Sequence, residues 1–255
     1  MSDMNKLSIL IPAYNEERLI RRTLERIAAL CLPWGMAKEI IVVDDASTDD
    51  TAQITLRFQI EHSEFEVKCL NNPINRGKGA CLHQGIFCAT GDVIVVQDAD
   101  LEYDPHDFCK MLVAMEESRA DVVYGSRFLV GGRISTPLHQ FGNFALTLFS
   151  NAFTGLRLTD VHTCYKMFRA DLLRQIRLRE QRFGFCPEVT AKIAQIPGLR
   201  LVEVPVSYLP RNFANGKKIG ICDGFRALWC TIRYSRWTGR LDRAPDSPAT
   251  TVICR

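Results

Sequence analysis

The sequence predicts one α/β domain, a mainly parallel sheet with helices on both faces, followed by a C-terminal amphipathic helix. Two observations carry this expectation. Short runs rich in Val and Ile, Ile40 to Val43 and Val93 to Val96 among them, alternate with stretches of helical periodicity over the first 125 residues, as strands buried on both faces between covering helices do. The 255 residues are 47% apolar, with 32 Lys plus Arg against 29 Asp plus Glu and a net charge of +3. That composition supplies ample core for one large domain and is too balanced for a disordered chain or an obvious nucleic-acid binder.

Taken in order, Leu7 to Ile11 is the first strand, ended by Pro12, and Glu16 to Leu30 is a helix with Leu19, Ile20, Thr23, Leu24, Ile27 and Ala28 on one face. Ile40 to Val43 is the second strand, and Asp44 to Thr48 an acidic turn into a helix from Thr51 to Phe58. Glu66 to Leu70 is a weaker third strand. Asn71 to Gly79 is a polar glycine-rich loop before a helix from Ala80 to Ala89. Val93 to Val96 and Asp121 to Tyr124 are the fourth and fifth strands, flanking a helix from Pro105 to Ser118 for which Asp104 is the expected cap. Beyond these, Phe141, Phe144, Ala145, Leu148, Phe149, Ala152 and Phe153 share a helical face with Asn143, Thr147 and Ser150 opposite. Glu188 to Gln195 reads as a short helix, Arg200 to Val206 as a strand, Cys222 to Trp237 as a basic amphipathic helix, and the tail from Ala244 as disordered.

No apolar run reaches the roughly 18 uncharged residues that span a bilayer, and the N-terminus lacks a signal-peptide layout, so the chain is expected on the cytosolic side. Ten cysteines are scattered singly without C-x-x-C pairs or zinc spacing, which fits reduced thiols used as small hydrophobes.

In an open parallel sheet, ligands sit beyond the carboxyl ends of strands. The first strand is followed by Pro12, Ala13, Tyr14, Asn15 and Glu16, the second by Asp44 and Asp45, the fourth by Gln97, Asp98, Ala99 and Asp100. Two carboxylates one residue apart are costly unless a cation neutralises them, and hard oxygen ligands suit Mg²⁺ or Mn²⁺. Glu102 offers a third oxygen. Helix capping explains Asp98 and Asp100 equally well, as a turn does Asp44 and Asp45. Neither a G-x-G-x-x-G after the first strand nor a G-x-x-x-x-G-K-[ST] motif is present. Arg76, Gly77, Lys78 and Gly79 fit either a phosphate loop or a solvated turn. His162 and Cys164 suggest a nucleophile pair, but their spacing gives it no support.

The segments LSILIPAYNEE (Leu7 to Glu17), EIIVVDDASTDDT (Glu39 to Thr51), NRGKGA (Asn75 to Ala80) and ATGDVIVVQDADLEYDP (Ala89 to Pro105) resemble family 2 glycosyltransferases of the GT-A fold, in the family's order and spacing. Within it the likeness is to dolichyl- or polyprenyl-phosphate hexosyltransferases, through YGSRF (Tyr124 to Phe128), LTDVHTCYKMFR (Leu158 to Arg169), RFGFCPEVTAK (Arg182 to Lys192) and VPVSYLPRNFANGKKIG (Val204 to Gly220).

The resemblance implies that a nucleotide sugar, UDP- or GDP-hexose, is the donor and polyprenyl phosphate the acceptor. Pro12, Tyr14, Glu16, Val43 and Asp45 match positions holding the nucleoside, Asp98, Ala99 and Asp100 the metal-diphosphate motif, and Glu102 a further metal ligand. Arg127, Arg211 and Lys217 match basic residues facing phosphates, so Asp100, Arg127 and Lys217 are expected to carry catalysis, with Lys218 beside them. Residues 1–220 form the expected catalytic domain, 1–125 its nucleotide-metal half and 126–220 its acceptor half, followed by a helix over 221–240 and a disordered tail over 241–255. A glycan, lipid or protein acceptor, or a non-catalytic nucleotide-sugar-binding subunit, are the alternatives.

An acceptor phosphate monoester is anionic at neutral pH and needs no general base. An essential carboxylate base at Asp160 or Glu188 would contradict that account, and a buried Arg partner is the other reading of Glu188. Charge by position adds to the picture. Residues 200–243 hold nine basic against three acidic side chains, a net of +6. The helix from Cys222 to Trp237 places Phe225, Leu228, Trp229 and Ile232 on one face and Arg226, Arg233 and Arg236 on others. It reads either as an anchor at the cytosolic face of a membrane or as a helix packed on the core or a dimer partner. A second copy or a membrane-tether subunit are the further partners considered.

Overall fold

The computed structural model describes residues 4–129, 137–210 and 221–238. A seven-stranded sheet is built from β1 (Lys6–Ala13), β2 (Ala37–Asp44), β3 (Glu66–Asn71), β4 (Val93–Val96), β5 (Val122–Ser126), β6 (Lys166–Arg169) and β7 (Leu201–Pro205). Its order is β3-β2-β1-β4-β6-β5-β7, parallel except for β6, which runs antiparallel to both β4 and β5. Around it lie α1 (Ile20–Ala28), α2 (Thr51–Glu61), α3 (Lys78–Cys88), α4 (Asp107–Glu117), α5 (Pro137–Thr154), α6 (Ala170–Arg174), α7 (Phe185–Ile193) and α8 (Ile221–Tyr234).

The continuous apolar runs form the centre, as expected of strands covered on both faces. Ile9, Leu10 and Ile11 of β1, Ile40 to Val43 of β2 and all of β4 are buried. Helix α1 packs through Ile20, Thr23, Leu24 and Ile27. It begins at Ile20 rather than Glu16, and the residues before it form a turn in which the Glu16 carbonyl accepts from the Leu19 and Ile20 N–H groups. Helix α7 likewise begins at Phe185, three residues before the expected start, and α4 begins at Asp107, with the Asp104 carboxylate accepting instead from the His106 N–H at 3.1 Å and pairing with Arg26 at 2.9 Å.

Strand β6 was not expected. Its four residues contain no β-branched side chain, and they become a strand through their neighbours on either side. Lys166 within it is fully buried, its ammonium donating to the carbonyls of Val161 at 2.7 Å and Thr163 at 2.6 Å over the Tyr124 ring.

Helices α5 and α8 reverse the usual polarity. Helix α5 buries Thr147, Ser150 and Thr154 and exposes Phe141 (68%), Phe144 (61%) and Leu148 (59%). Helix α8 packs through Ala227, Cys230 and Thr231, leaving Phe225 (69%) and Trp229 exposed. Its expected apolar face is therefore not a core face. No helix among the described residues is long and apolar enough to cross a membrane.

Candidate active site

Chain order reverses about β1, which lies between β2 and β4, so the carboxyl ends of these strands frame the crevice where such sheets bind ligands. Pro12 and Val43 are direct neighbours in the β1–β2 register. Beyond them two loops are stitched together. Asn15 takes a left-handed backbone (φ 53°), its N–H donates to Ser47 Oγ at 2.9 Å, and its Oδ1 accepts from the Thr48 N–H at 2.8 Å. The Glu16 N–H donates to Thr51 Oγ1 at 2.8 Å, and Tyr14 stays exposed. Four of the five expected nucleoside positions thus lie along one strand-end rim.

The fifth, Asp45, is buried and closes a loop. Its carboxylate accepts from the backbone N–H groups of Arg76 at 2.9 Å and Gly77 at 2.6 Å and from Asn72 Nδ2 at 2.9 Å. The glycines of that loop serve close packing. Gly77 has φ +94°, a Cβ on Gly79 would sit 2.1 Å from the Glu180 carbonyl, and the Ala80 N–H donates to the Gln181 carbonyl at 2.8 Å. The loop therefore rides on residues 180–182 through Gly77 and Gly79, while Arg76 stays exposed. Glu180 in turn accepts from Arg226 Nη2 at 2.8 Å and the Tyr234 hydroxyl at 2.9 Å, both on α8.

At the end of β4, the Ala99 carbonyl accepts from Thr23 Oγ1 at 2.9 Å, and Asp100 Oδ1 accepts from the Glu102 N–H at 3.1 Å. Asp98 Oδ1 is ion-paired with the Lys78 ammonium. Burial works against that ammonium, but Asp98 beside it overrides the penalty and raises its pKa well above the ordinary value. Glu102 is buried, and its carboxylate accepts the Tyr208 hydroxyl at 2.9 Å. Among the described residues no group of three His, Cys, Asp or Glu side chains is placed to hold a metal ion. Two strand-end carboxylates, Asp98 and Asp100, one already paired with a cation, would still suit a hard divalent ion as oxygen ligands.

Arg127 follows β5, and its guanidinium grips the fully buried Asp160 at both oxygens, Nε to Oδ2 at 2.6 Å and Nη2 to Oδ1 at 2.8 Å, while stacking on the Tyr208 ring. Asn143 Nδ2 adds a bond to Asp160 at 3.2 Å, and Glu203 accepts from the Thr159 and Asp160 N–H groups at 2.8 and 3.1 Å. Burial would raise the Asp160 pKa, yet Arg127 pulls it below the usual carboxylate range. Glu188 has Lys192 as its buried partner at 2.7 Å, not an Arg side chain, and also accepts from the backbone N–H groups of Arg179 and Glu180. His162 is pushed down to about 4 by desolvation and neighbouring cations, so it is neutral. Arg211, Lys217, Lys218 and the tail over 241–255 lie outside the described residues.

The Lys78–Asp98 and Arg127–Asp160 pairs and the tie of Glu180 to α8 were not anticipated. The one sequence signal for them was that carboxylates at buried strand ends require counter-ions.

The profile described as Glycosyl transferase family 2 matches residues 8–177. An undecaprenyl-phosphate mannosyltransferase of Micrococcus luteus is 32% identical over 241 residues, covering 90% of this chain and 95% of that protein. A dodecaprenyl-phosphate galacturonate synthase of Rhizobium johnstonii is 28% identical over 88% of this chain, which spans 64% of that protein's length. Among solved structures, a mannosyltransferase of Pyrobaculum calidifontis in complex with GDP-Man and Mn²⁺ aligns with TM-score 0.58 at 19% identity, covering 92% of this chain and 70% of that one. A glucosyl-3-phosphoglycerate synthase of Mycobacterium tuberculosis with Mn²⁺, UDP and phosphoglyceric acid aligns with TM-score 0.59 at 22% identity, covering 82% and 72%. These two likenesses place the α/β domain in the GT-A fold.

Proposed function

The chain belongs to glycosyltransferase family 2, and from that premise we propose a metal-dependent, inverting enzyme that moves a hexose, mannose or glucose, from GDP or UDP to polyprenyl or dolichyl phosphate at a membrane surface. The relatives named for undecaprenyl- and dodecaprenyl-phosphate support that acceptor. The observation that carries it is the reversed polarity of α5 and α8. Two neighbouring helices that bury Thr and Ser while exposing Phe, Leu and Trp form an apolar patch of the kind that marks an interaction surface. The ring of Phe153 on α5 lies 6.3 Å from that of Trp237, three residues past α8. Exposed Arg226, Arg233 and Arg236 stand beside the patch, as anionic headgroups require.

The donor reading assigns Pro12, Tyr14, Glu16, Val43 and Asp45 to the nucleoside and Asp98 and Asp100 to a Mg²⁺ or Mn²⁺ ion on its diphosphate. Such an ion, when bound, offsets charge on the leaving diphosphate. Glu102 belongs to this group by position, and its bond to Tyr208 gives it a second task, holding the turn after β4 against the segment after β7. The resemblance assigns Arg211 and Lys217 to the phosphates together with Arg127, whose guanidinium is held at both oxygens of Asp160 and so would act as part of that ion pair. Attack by the acceptor phosphate needs no base. Two facts support this. The Asp160 carboxylate is fully buried with both oxygens taken by Arg127, which lowers its basicity, and the Glu188 carboxylate is engaged by Lys192 and two backbone N–H groups.

Incubation with labelled UDP- and GDP-hexoses and polyprenyl phosphate tests the reaction, and lipid-linked product from one donor is expected. Flotation with anionic vesicles tests the surface. Binding is expected to fall on the order of a hundredfold or more in Phe144→Ser/Trp229→Ser, since each ring contributes about 1.5–3 kcal/mol when buried. Full binding by that variant would overturn the membrane reading.

A further inference from the structure

The carboxylate expected to receive a divalent cation already has a cation. Lys78, the first residue of α3, pairs its ammonium with Asp98 Oδ1 and lies 3.6 Å from the Cys164 thiol. Its backbone is pinned on both sides. The Gly77 N–H is held by Asp45 at 2.6 Å, the Ala80 N–H by the Gln181 carbonyl at 2.8 Å, and neither Gly77 nor Gly79 has room for a side chain against residues 180–182. With its root fixed, Lys78 leaves Asp98 by turning its own flexible stem.

We propose that Lys78 is the resident counter-ion of Asp98, a monovalent placeholder that a divalent cation displaces on entry, so that Lys78 sets how weakly the metal binds before the nucleotide arrives. This rests on the reading that Asp98 takes a divalent cation. A part-buried carboxylate left without any cation is costly, which gives the placeholder its use. An ammonium and a divalent ion on one carboxylate repel strongly at about 4 Å. Both stay only when further negative charge, such as a diphosphate, enters with the metal. Lysine suits the task because its charge is compact and its stem rotates, whereas arginine would hold the carboxylate bidentately.

Mn²⁺ titration followed by electron paramagnetic resonance, on the full chain with and without UDP or GDP, tests the proposal. In Lys78→Met, affinity without nucleotide is expected to rise on the order of tenfold, and the gain is expected to shrink once nucleotide is present. Lys78→Arg, which keeps the charge, is expected not to show that gain. The metal-free Lys78→Met protein is expected to melt below the wild type and to regain the difference with Mn²⁺. Unchanged or weaker Mn²⁺ binding by Lys78→Met without nucleotide overturns the placeholder while leaving the metal site standing. A wild type that binds no Mn²⁺ even with nucleotide overturns both.

Discussion

At the amino edge of the sheet, Glu39 is closed in mainly by groups on strands and the turn before β4: the Ser8 hydroxyl at 2.5 Å and the Thr90 and Gly91 N–H groups at 2.6 and 3.0 Å, with the Lys68 ammonium of β3 at 2.7 Å as counter-ion. Nearby, Asp92 accepts from the Asn5 and Lys6 N–H groups at 2.7 and 3.0 Å. At the carboxyl edge, Asp98 is balanced by a lysine on a glycine loop and Asp45 by that loop's own N–H groups. Both edges satisfy buried charge. The first adds a hydroxyl and backbone N–H groups from strands and their immediate ends to its lysine, the second relies for Asp98 on a lysine at a loop held by packing on residues 180–182. A carboxylate tied into the ladder stabilises the fold, while one balanced by an exchangeable partner is available for binding.

Three substitutions can break that contrast. The largest effect is expected from Asp100→Asn, which should lower kcat on the order of 10²–10³-fold, as loss of one transition-state contact does, with the melting temperature nearly unchanged. A comparable loss of stability in that variant would make the carboxyl edge as structural as the amino edge. Next, Glu39→Gln should leave steady-state transfer unchanged and destabilise the fold. Although burial alone would raise its pKa, the bonds from Lys68, Ser8 and Thr90 hold Glu39 at about 2, below its ordinary 4.5. A depressed pKa stabilises above the unfolded value, so a contribution on the order of 3 kcal/mol is present above about pH 4.5 and fades as pH falls toward 2. Acid titration of stability should show that fall in the wild type and not in Glu39→Gln. The smallest expected effect on activity is that of Gly79→Ala. Its Cβ would sit 2.1 Å from the Glu180 backbone carbonyl and must displace the loop, so the melting temperature should fall and the donor KM rise several-fold, about 1 kcal/mol, with kcat retained. An unchanged KM would separate the loop from the donor.

The strands other than β6 and the acidic strand ends were legible in the sequence because both are local. Ile40 to Val43 is followed at once by Asp44 and Asp45, and Val93 to Val96 nearly so by Asp98 and Asp100. What was hidden depends on distant partners. Lys166–Arg169 becomes a strand because β4 and β5 flank it, and Arg127 finds Asp160 33 residues away. Periodicity located an apolar face on α5 and α8, but a period cannot say which face turns inward. Thr147, Ser150 and Thr231 turned in. The glycines around Lys78 looked like a phosphate loop because the segment they pack against lies about 100 residues later.

The thiols make the molecule its own reporter of motion. A thiolate, not a thiol, reacts with an alkylating reagent, and burial pushes Cys81 and Cys230 up to about 12 and Cys164 higher still. Cys31 alone among the described cysteines is exposed. Modification of the other three must therefore wait for local or global opening, so its rate times the breathing of separate places. Cys81 reports on the loop beside Asp45, Cys164 on the floor of the strand-end crevice, and Cys230 on the inner face of α8.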